Sequence, residues 1–252
     1  MSTPTRYTSG FTQSAVFQPL GNIGIPNPFF YASYDDDFLP YNVANYTPTL
    51  DGGTVAATAV NGSGGRIVLT TAAVATDFVG LQLPAAGFQY VAGKKLAYVC
   101  RLQLTTPAST GFIVGLLNNT ATPSAPTDGI YFQYVAGGTT IALTAMTGSV
   151  VIGTSAIAIP PVAATDIDLG FYVNPEGNIF AYVGTNLVGN ATRQDVATLG
   201  AAGKLYSSTS LAGTPQLTGA ITSVLLNPTL SVSTTGPANA LIADFQFAAQ
   251  ER

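Results

Sequence analysis

Across residues 95–104 every second side chain is apolar: Leu96, Tyr98, Cys100, Leu102 and Leu104 fall on one face of an extended chain, with Lys95, Arg101 and Gln103 on the other. A period of two marks a half-buried β-strand and excludes a helix, whose apolar stripe recurs every three to four residues. The pattern returns over residues 166–173, where Ile167, Leu169, Phe171 and Val173 share a face and Asp166 and Asp168 point the other way. Asn174-Pro175-Glu176-Gly177-Asn178 then supplies turn chemistry between paired strands, residues 179–183 resume the strand, and Gly184-Thr185-Asn186 turns again.

Further strands are expected at 66–71, 78–83, 112–117, 129–135, 140–146, 217–226 and 241–247. Turn signals separate them: Asp51-Gly52-Gly53, Asn61-Gly62, Asp128-Gly129, Gly137-Gly138 and Asn227-Pro228. Only residues 193–205 hold room for a helical turn, and Gly200 and Gly203 interrupt it. Many short antiparallel strands with regular turns predict an all-β sandwich, a jelly roll.

Residues 1–40 read differently. The stretch Phe17-Gln18-Pro19-Leu20-Gly21-Asn22-Ile23-Gly24-Ile25-Pro26-Asn27-Pro28-Phe29-Phe30-Tyr31 is apolar without any period, and its Gly and Pro residues block both helix and ladder. The chain is therefore divided into an extended N-terminal arm, 1–40, and a sandwich domain, 41–252. Apolar side chains on an arm need a groove, on this domain or on a neighbouring subunit. Phe17, Leu20, Ile23, Ile25, Pro26, Pro28, Phe29, Phe30 and Tyr31 are the expected subunit contacts.

Eight basic and twelve acidic residues, 8% of the chain, give a net charge of −4, while 47% of residues are apolar. So few scattered cations cannot neutralise a phosphate backbone, so nucleic acid is not expected as a partner. No run of about eighteen apolar residues is free of Gly, Pro, Thr or Asn, and no membrane span is expected. The N-terminus lacks the basic start and apolar run of a secretory signal. Cys100 is a lone cysteine, which excludes an internal disulfide, fits a reducing compartment and reads as a buried thiol. The outward faces are rich in Ala, Thr, Ser, Gly and Gln, as in Thr139-Thr140-Ile141-Ala142-Leu143-Thr144-Ala145, and such a surface packs against another without desolvating charge.

No histidine is present, so imidazole-dependent triads and imidazole metal sites are ruled out. Gly52-Gly53 and Gly62-Ser63-Gly64-Gly65 lack the strand and helix of a phosphate cradle and read as turns. Asp35-Asp36-Asp37 offers hard oxygen ligands for Ca²⁺, but without the spacing or central glycine of an EF-hand it reads as an acidic turn. Asp166 and Asp168 share a strand face at the spacing of a carboxylate pair, with Glu176 in the turn beyond; the simpler reading is solubilising charge. The twelve Tyr and thirteen Phe, with no Trp, are expected mostly in the core. No catalytic, cofactor-binding or metal-ligating residue is assigned.

The order of pieces resembles a family of tailed-bacteriophage virion proteins, the head decoration or cement type with a concanavalin-like jelly roll. The resemblance lies in Tyr7-Thr8-Ser9-Gly10-Phe11-Thr12, Pro19-Leu20-Gly21, Ile25-Pro26-Asn27-Pro28 and Tyr34-Asp35-Asp36-Asp37-Phe38. It continues through Ala92-Gly93-Lys94-Lys95-Leu96, Thr127-Asp128-Gly129-Ile130-Tyr131-Phe132, Leu169-Gly170-Phe171-Tyr172 and the ending Phe245-Gln246-Phe247-Ala248-Ala249-Gln250-Glu251-Arg252. This chain is poorer in charge and Trp than that family and richer in Ala, Thr and Gly. The resemblance implies a non-enzymatic subunit on a capsid exterior, made in the host cytoplasm. Its partners would be the major capsid protein and copies of itself, as a dimer or, by analogy with capsid three-fold positions, a trimer. The alternative is a virion-surface carbohydrate-binding module, taking a host-surface glycan through its loops. A glycosidase using Glu176 is a third reading.

Overall fold

The computed structural model describes residues 31–38, 42–51, 57–60, 65–91, 93–120, 122–173, 175, 179–187, 190–191, 194–198 and 224–252. The strands in chain order are β1 (Tyr31–Asp36), β2 (Thr47–Asp51), β3 (Ala57–Val60), β4 (Arg66–Thr70), β5 (Phe78–Gln82), β6 (Leu96–Leu104), β7 (Thr110–Asn118) and β8 (Gly129–Tyr134). They continue as β9 (Ile141–Thr147), β10 (Val150–Ile157), β11 (Ile167–Val173), β12 (Ile179–Leu187), β13 (Asn190–Ala191), β14 (Gln194–Thr198), β15 (Leu226–Thr234) and β16 (Ala240–Glu251).

Among the described residues these form two antiparallel sheets. One runs β13-β12-β11-β6-β16-β4-β3, with β1 also on β16 and β14 also on β12; the other runs β10-β9-β8-β7-β15-β5-β2. The last two strands sit at the centres of the sheets, β15 between β5 and β7 and β16 between β4 and β6. Closing the sandwich therefore needs residues more than a hundred positions apart to meet, a topology that folds slowly.

The alternation read from β6 and β11 sets the interior. Leu96, Tyr98, Cys100, Leu102 and Leu104 join Ile167, Leu169, Phe171 and Val173 in one core. The second sheet closes it with Phe112, Val114, Leu116, Ile130, Phe132, Leu143, Leu230 and Val232. Phe171 stacks on Tyr98 of the adjacent strand, centroids 5.6 Å apart, and meets Phe132 of the opposite sheet at 6.2 Å. Cys100 is fully buried, and burial pushes its thiol up to about 12, the inert state expected of it.

Several elements differ from the sequence reading. Residues 31–36, assigned to the arm, are strand β1, paired with β16 from Tyr31 opposite Glu251 to Asp36 opposite Gln246. The reason is an open edge: β4 covers β16 only over residues 240–243, leaving its second half to be paired by β1. Residues 31–36 are thus part of the nine-stranded sheet. Asn227-Pro228 is not a turn but lies inside β15, one residue before pairing with β5 begins at Thr229, where a missing N–H leaves no ladder bond broken on that side. Gly184-Thr185-Asn186 continues β12, and residues 194–198 are strand rather than helical turn. Most of the expected strand at 217–226, the turns at 52–53 and 61–64, and arm residues 1–30 lie outside the described residues.

Candidate functional site

With the core fixed, the alternate residues of each strand point away from it. On the nine-stranded sheet, Ala97, Val99, Tyr172, Phe247 and Ala249 form a second apolar cluster, with Tyr31 and Phe245 packed against it. A one-residue bulge creates half of this face. Leu241 and Ala243 of β16 point into the core, but the register with β6 slips between Ala243 and Phe245. Beyond the slip Gln246 and Ala248 point inward and Phe245, Phe247 and Ala249 point out.

The bulge also places Asp244 and Phe245 around Arg101. The Arg101 guanidinium donates to both Asp168 oxygens at 2.7 and 3.2 Å, lies 3.6 Å from Asp244 and stands 5.6 Å from the centroid of the Phe245 ring. Arg66 donates to Asp166 at 2.9 Å. Asp166 and Asp168 therefore face outward as expected, but each is ion-paired rather than merely solvated, and their side chains keep only 24% and 22% exposure.

Other acids have structural work too. Asp36 points inward, opposite in sense to Asp35, so the three consecutive carboxylates do not converge as a cation site. One Asp36 oxygen accepts from the Phe38 amide at 2.6 Å, where the chain turns left-handed (φ 56°); the other accepts from the Tyr46 hydroxyl, which bonds the Tyr34 hydroxyl at 2.7 Å. Buried Asp77 accepts from the Ala72 amide. Asp128 accepts from Thr127, Thr147 and the Gly148 amide, tying the β7–β8 loop to the β9–β10 turn. Glu251 accepts from the Lys95 amide. Among the described residues no three His, Cys, Asp or Glu side chains gather to hold a metal, and no helix is long and apolar enough to cross a membrane. Asn174 and Glu176 lie outside the described residues.

The outer face of the seven-stranded sheet is partly covered by its own loop. Gln82 donates to Thr229 at 2.9 Å and to the Asn118 carbonyl, and accepts from the Thr120 amide; Asn227 donates to the Leu83 carbonyl and to Asn119. Pro123 lies directly over Gly80, and any Cβ there would stand 2.6 Å from the proline ring. Gln82, Thr229 and Ser231 are consequently buried, although they face away from the core; Thr144, also buried, lies between Tyr131 and Thr154 of the neighbouring strands. Small polar residues expected to meet a partner are thus in part covered by this same chain. Beside them Ile113, Leu117 and Tyr131 make a third apolar cluster, with Met146 packed on it.

The buried hydroxyls set a pH limit. Burial pushes Tyr172 up to about 12, with Tyr31 and Glu251 adding to it, and raises Tyr34 and Tyr46 still further, Asp36 contributing to both. The folded chain therefore holds protons that the unfolded chain releases from 9 for the thiol and 10 for tyrosine. Their stabilisation is complete below pH 9 and drains away as pH rises through the folded values. Ionisation of the buried tyrosines should coincide with loss of the β-sheet circular dichroism between about pH 10 and 12. Separate transitions, with buried tyrosinate forming in a still-folded chain, would contradict the placement of these hydroxyls.

No protein-family model matches the chain, and no curated protein matches it in sequence. Solved structures do. An endo-1,3-β-glucanase from Streptomyces sioyaensis superposes with a TM-score of 0.56 at 12% identity, over 89% of this chain and 98% of that one. A seed lectin of Lotus tetragonolobus gives 0.52 at 8% identity, over 88% and 99%. Arcelin-5, a lectin-like defence protein of Phaseolus vulgaris, gives 0.51 at 7% identity, over 88% and 100%. The architecture is therefore the concanavalin-like β-sandwich of the legume lectins. An enzyme, a lectin and a defence protein share it, so the fold by itself assigns none of their activities.

Proposed function

We propose that this chain works by contact rather than by catalysis, as a non-enzymatic sandwich subunit on the exterior of a bacteriophage capsid. The non-catalytic half rests on the carboxylates: Asp166, Asp168 and Asp244 are ion-paired to arginines, and Asp36, Asp77, Asp128 and Glu251 accept structural hydrogen bonds. A glycosidase needs two carboxyl groups disposed about a sugar bond, and these acids are committed elsewhere. The capsid half is supported by the ordered motifs from Tyr7 to Arg252 and by a chain with only twenty charges to hydrate. The proposed partners are the major capsid protein and further copies of this chain, small contacts adding up by repetition over a symmetric shell. Purified protein should co-sediment with shells that lack it and appear as symmetric density in their cryo-EM maps. A monomer that stays monomeric when concentrated and ignores the shells would end this reading.

A second reading, a lectin-like carbohydrate-binding module, is the one the solved structures support more directly. Its natural site is the loop platform around Asp128, where Asn118, Thr127, Thr147 and Gly148 converge. Under this reading a glycan array gives specific signals that disappear in Asp128→Ala. An array blank for the folded chain would remove it.

A further inference from the structure

Between β7 and β8 the sequence Asn119-Thr120-Ala121-Thr122-Pro123-Ser124-Ala125-Pro126-Thr127 carries no charge and no apolar side chain larger than a proline ring. Its neck is closed on itself. The Asn118 amide donates to the Asp128 carbonyl at 3.0 Å, the Asn118 side-chain oxygen accepts from the Thr127 and Asp128 amides, and Asn118 Nδ2 donates to the Thr127 hydroxyl. The tip is bent by its own bonds, from the Thr122 amide to the Thr120 hydroxyl and from the Ala125 amide to the Thr122 carbonyl. None of these bonds uses the outer face of the sheet. A loop tied at its neck and shaped by its own contacts can leave that face as a unit.

The contacts that press the tip onto the sheet are of another kind. Pro123 lies on the bare backbone of Gly80, the Thr120 amide donates to Gln82 Oε1 at 3.3 Å, and Asn227 Nδ2 donates to the Asn119 side-chain oxygen. Beneath them the register sets Ser231 beside Gly80, and Thr229 beside Gln82. The Gln82 row continues through Gly115, Tyr131, Thr144 and Thr154, and the Gly80 row through Ile113, Gln133, Ala142 and Ala156, with no charged residue on either. A cover that serves only to hide a sheet face gains most from apolar side chains. This one sets a saturated ring and hydrogen-bonding groups on a floor of amides and hydroxyls. A neutral sugar brings the same chemistry, a C–H face on a saturated ring and hydroxyls that both donate and accept.

We propose that the β7–β8 loop is a lid, and that Gly80, Gln82, Asn227, Thr229 and Ser231 beneath it form a site for an uncharged, hydroxyl-rich ligand, a neutral oligosaccharide. The closed lid stands in for that ligand: Pro123 holds the place of a sugar ring over Gly80, and Thr120 and Asn119 make the bonds that sugar hydroxyls make once the lid is lifted. The proposal rests on the carbohydrate-binding reading, and its site adjoins the Asp128 platform, whose bonds hold the neck of the lid. Because the ligand competes with the chain's own loop, its apparent affinity is lowered by the fraction of molecules that are closed.

The test locks the lid in the full-length protein. A Cβ on Gly80 would stand 3.0 Å from Pro123 Cβ, near the roughly 3.8 Å that a disulfide spans, so Gly80→Cys combined with Pro123→Cys should cross-link on oxidation. Cys100 is fully buried and does not compete. On an array of neutral oligosaccharides the reduced double variant should give signals that fall several-fold on oxidation and return with dithiothreitol. Pro123→Gly removes the ring and leaves the sheet face intact; it should raise the parent's signals several-fold, and it carries the test alone if the double variant does not fold. Failure of the folded double variant to cross-link, equal signals with the lid locked and released, or no rise in Pro123→Gly would each overturn the lid while leaving the carbohydrate reading in place. Signals from anionic glycans only would overturn the ligand class. Arrays blank for the parent, the reduced double variant and Pro123→Gly alike would remove both the site and that reading.

Discussion

Phe171→Ala should lower the folding free energy by about 3–5 kcal/mol, enough to unfold much of the population of an ordinary domain near its melting range. Phe171 is fully buried and belongs to both layers at once: on its own sheet it pairs with and stacks on Tyr98, and across the sandwich it meets Phe132. Truncation removes a ring from the place where the sheets touch. The strands on either side cannot collapse into the gap, because β11 is hydrogen-bonded to β6 and β12. Urea denaturation should show a lower midpoint with an unchanged slope. Val135→Ala, at a residue 65% exposed, serves as the control and should stay within about 0.5 kcal/mol of the parent. A Phe171→Ala loss no larger than the control's would mean that the two sheets do not meet at this ring.

The same ring shows what the sequence carried. Strands buried on one face, such as β6 and β11, announce themselves through alternation, and their inward residues could be named one by one. Strands buried on both faces do not. In β5, β7 and β15 the outward side lies under loops or apolar clusters, so Gly80, Gln82, Ile113, Leu117, Thr229 and Ser231 are interior without a period to mark them. Local signals also misled where tertiary pairing overrode them. The turn dipeptide Asn227-Pro228 sits in a central strand, and β1 owes its existence to an edge of β16 that β4 leaves open, which nothing near residue 31 encodes. Pro48 is less surprising, since β2 borders its sheet, where a missing N–H is tolerated.

The outer cluster was the least legible part, for a geometric reason. Strict alternation through residues 241–249 would put Phe245 and Phe247 in the core with Leu241 and Ala243. The bulge at Asp244 turns them outward, and a bulge is a property of the pairing with β6, not of the residues themselves. The same slip explains the charges. Arg101 meets Asp168 from one neighbouring strand and Asp244 and Phe245 from the other, so an outward trio that looked like solvation, or like half of a catalytic pair, is a lock across three strands. Among the described residues, Asp166, Asp168 and Asp244 thus pair with arginines, and Asp36, Asp77, Asp128 and Glu251 accept hydrogen bonds that hold the chain's own turns and strands.

Gly115→Ala should be the most damaging small substitution on the seven-stranded sheet. Gly115 has φ of 156°, and a Cβ there would stand 2.4 Å from the Ile130 carbonyl oxygen, 2.6 Å from Tyr131 Cα and 2.8 Å from Tyr131 Cβ. Two of those three atoms are backbone of the adjacent strand, so no rotamer change relieves the clash; β8 must move away from β7 or the ladder between them must break. Overpacking and an unfavourable backbone together should cost about 2–6 kcal/mol. The damage should also reach the outer face, because Gly115 lies between Ile113 and Leu117 and its bare backbone lets Tyr131 pack with both. Gly87→Ala and Gly236→Ala, where nothing lies within 4 Å of the added carbon, should each change stability by less than about 0.5 kcal/mol. Parallel urea titrations of the three variants decide the matter: equal midpoints would show that β7 and β8 do not approach as closely as this, and the third apolar cluster would then lose its structural basis.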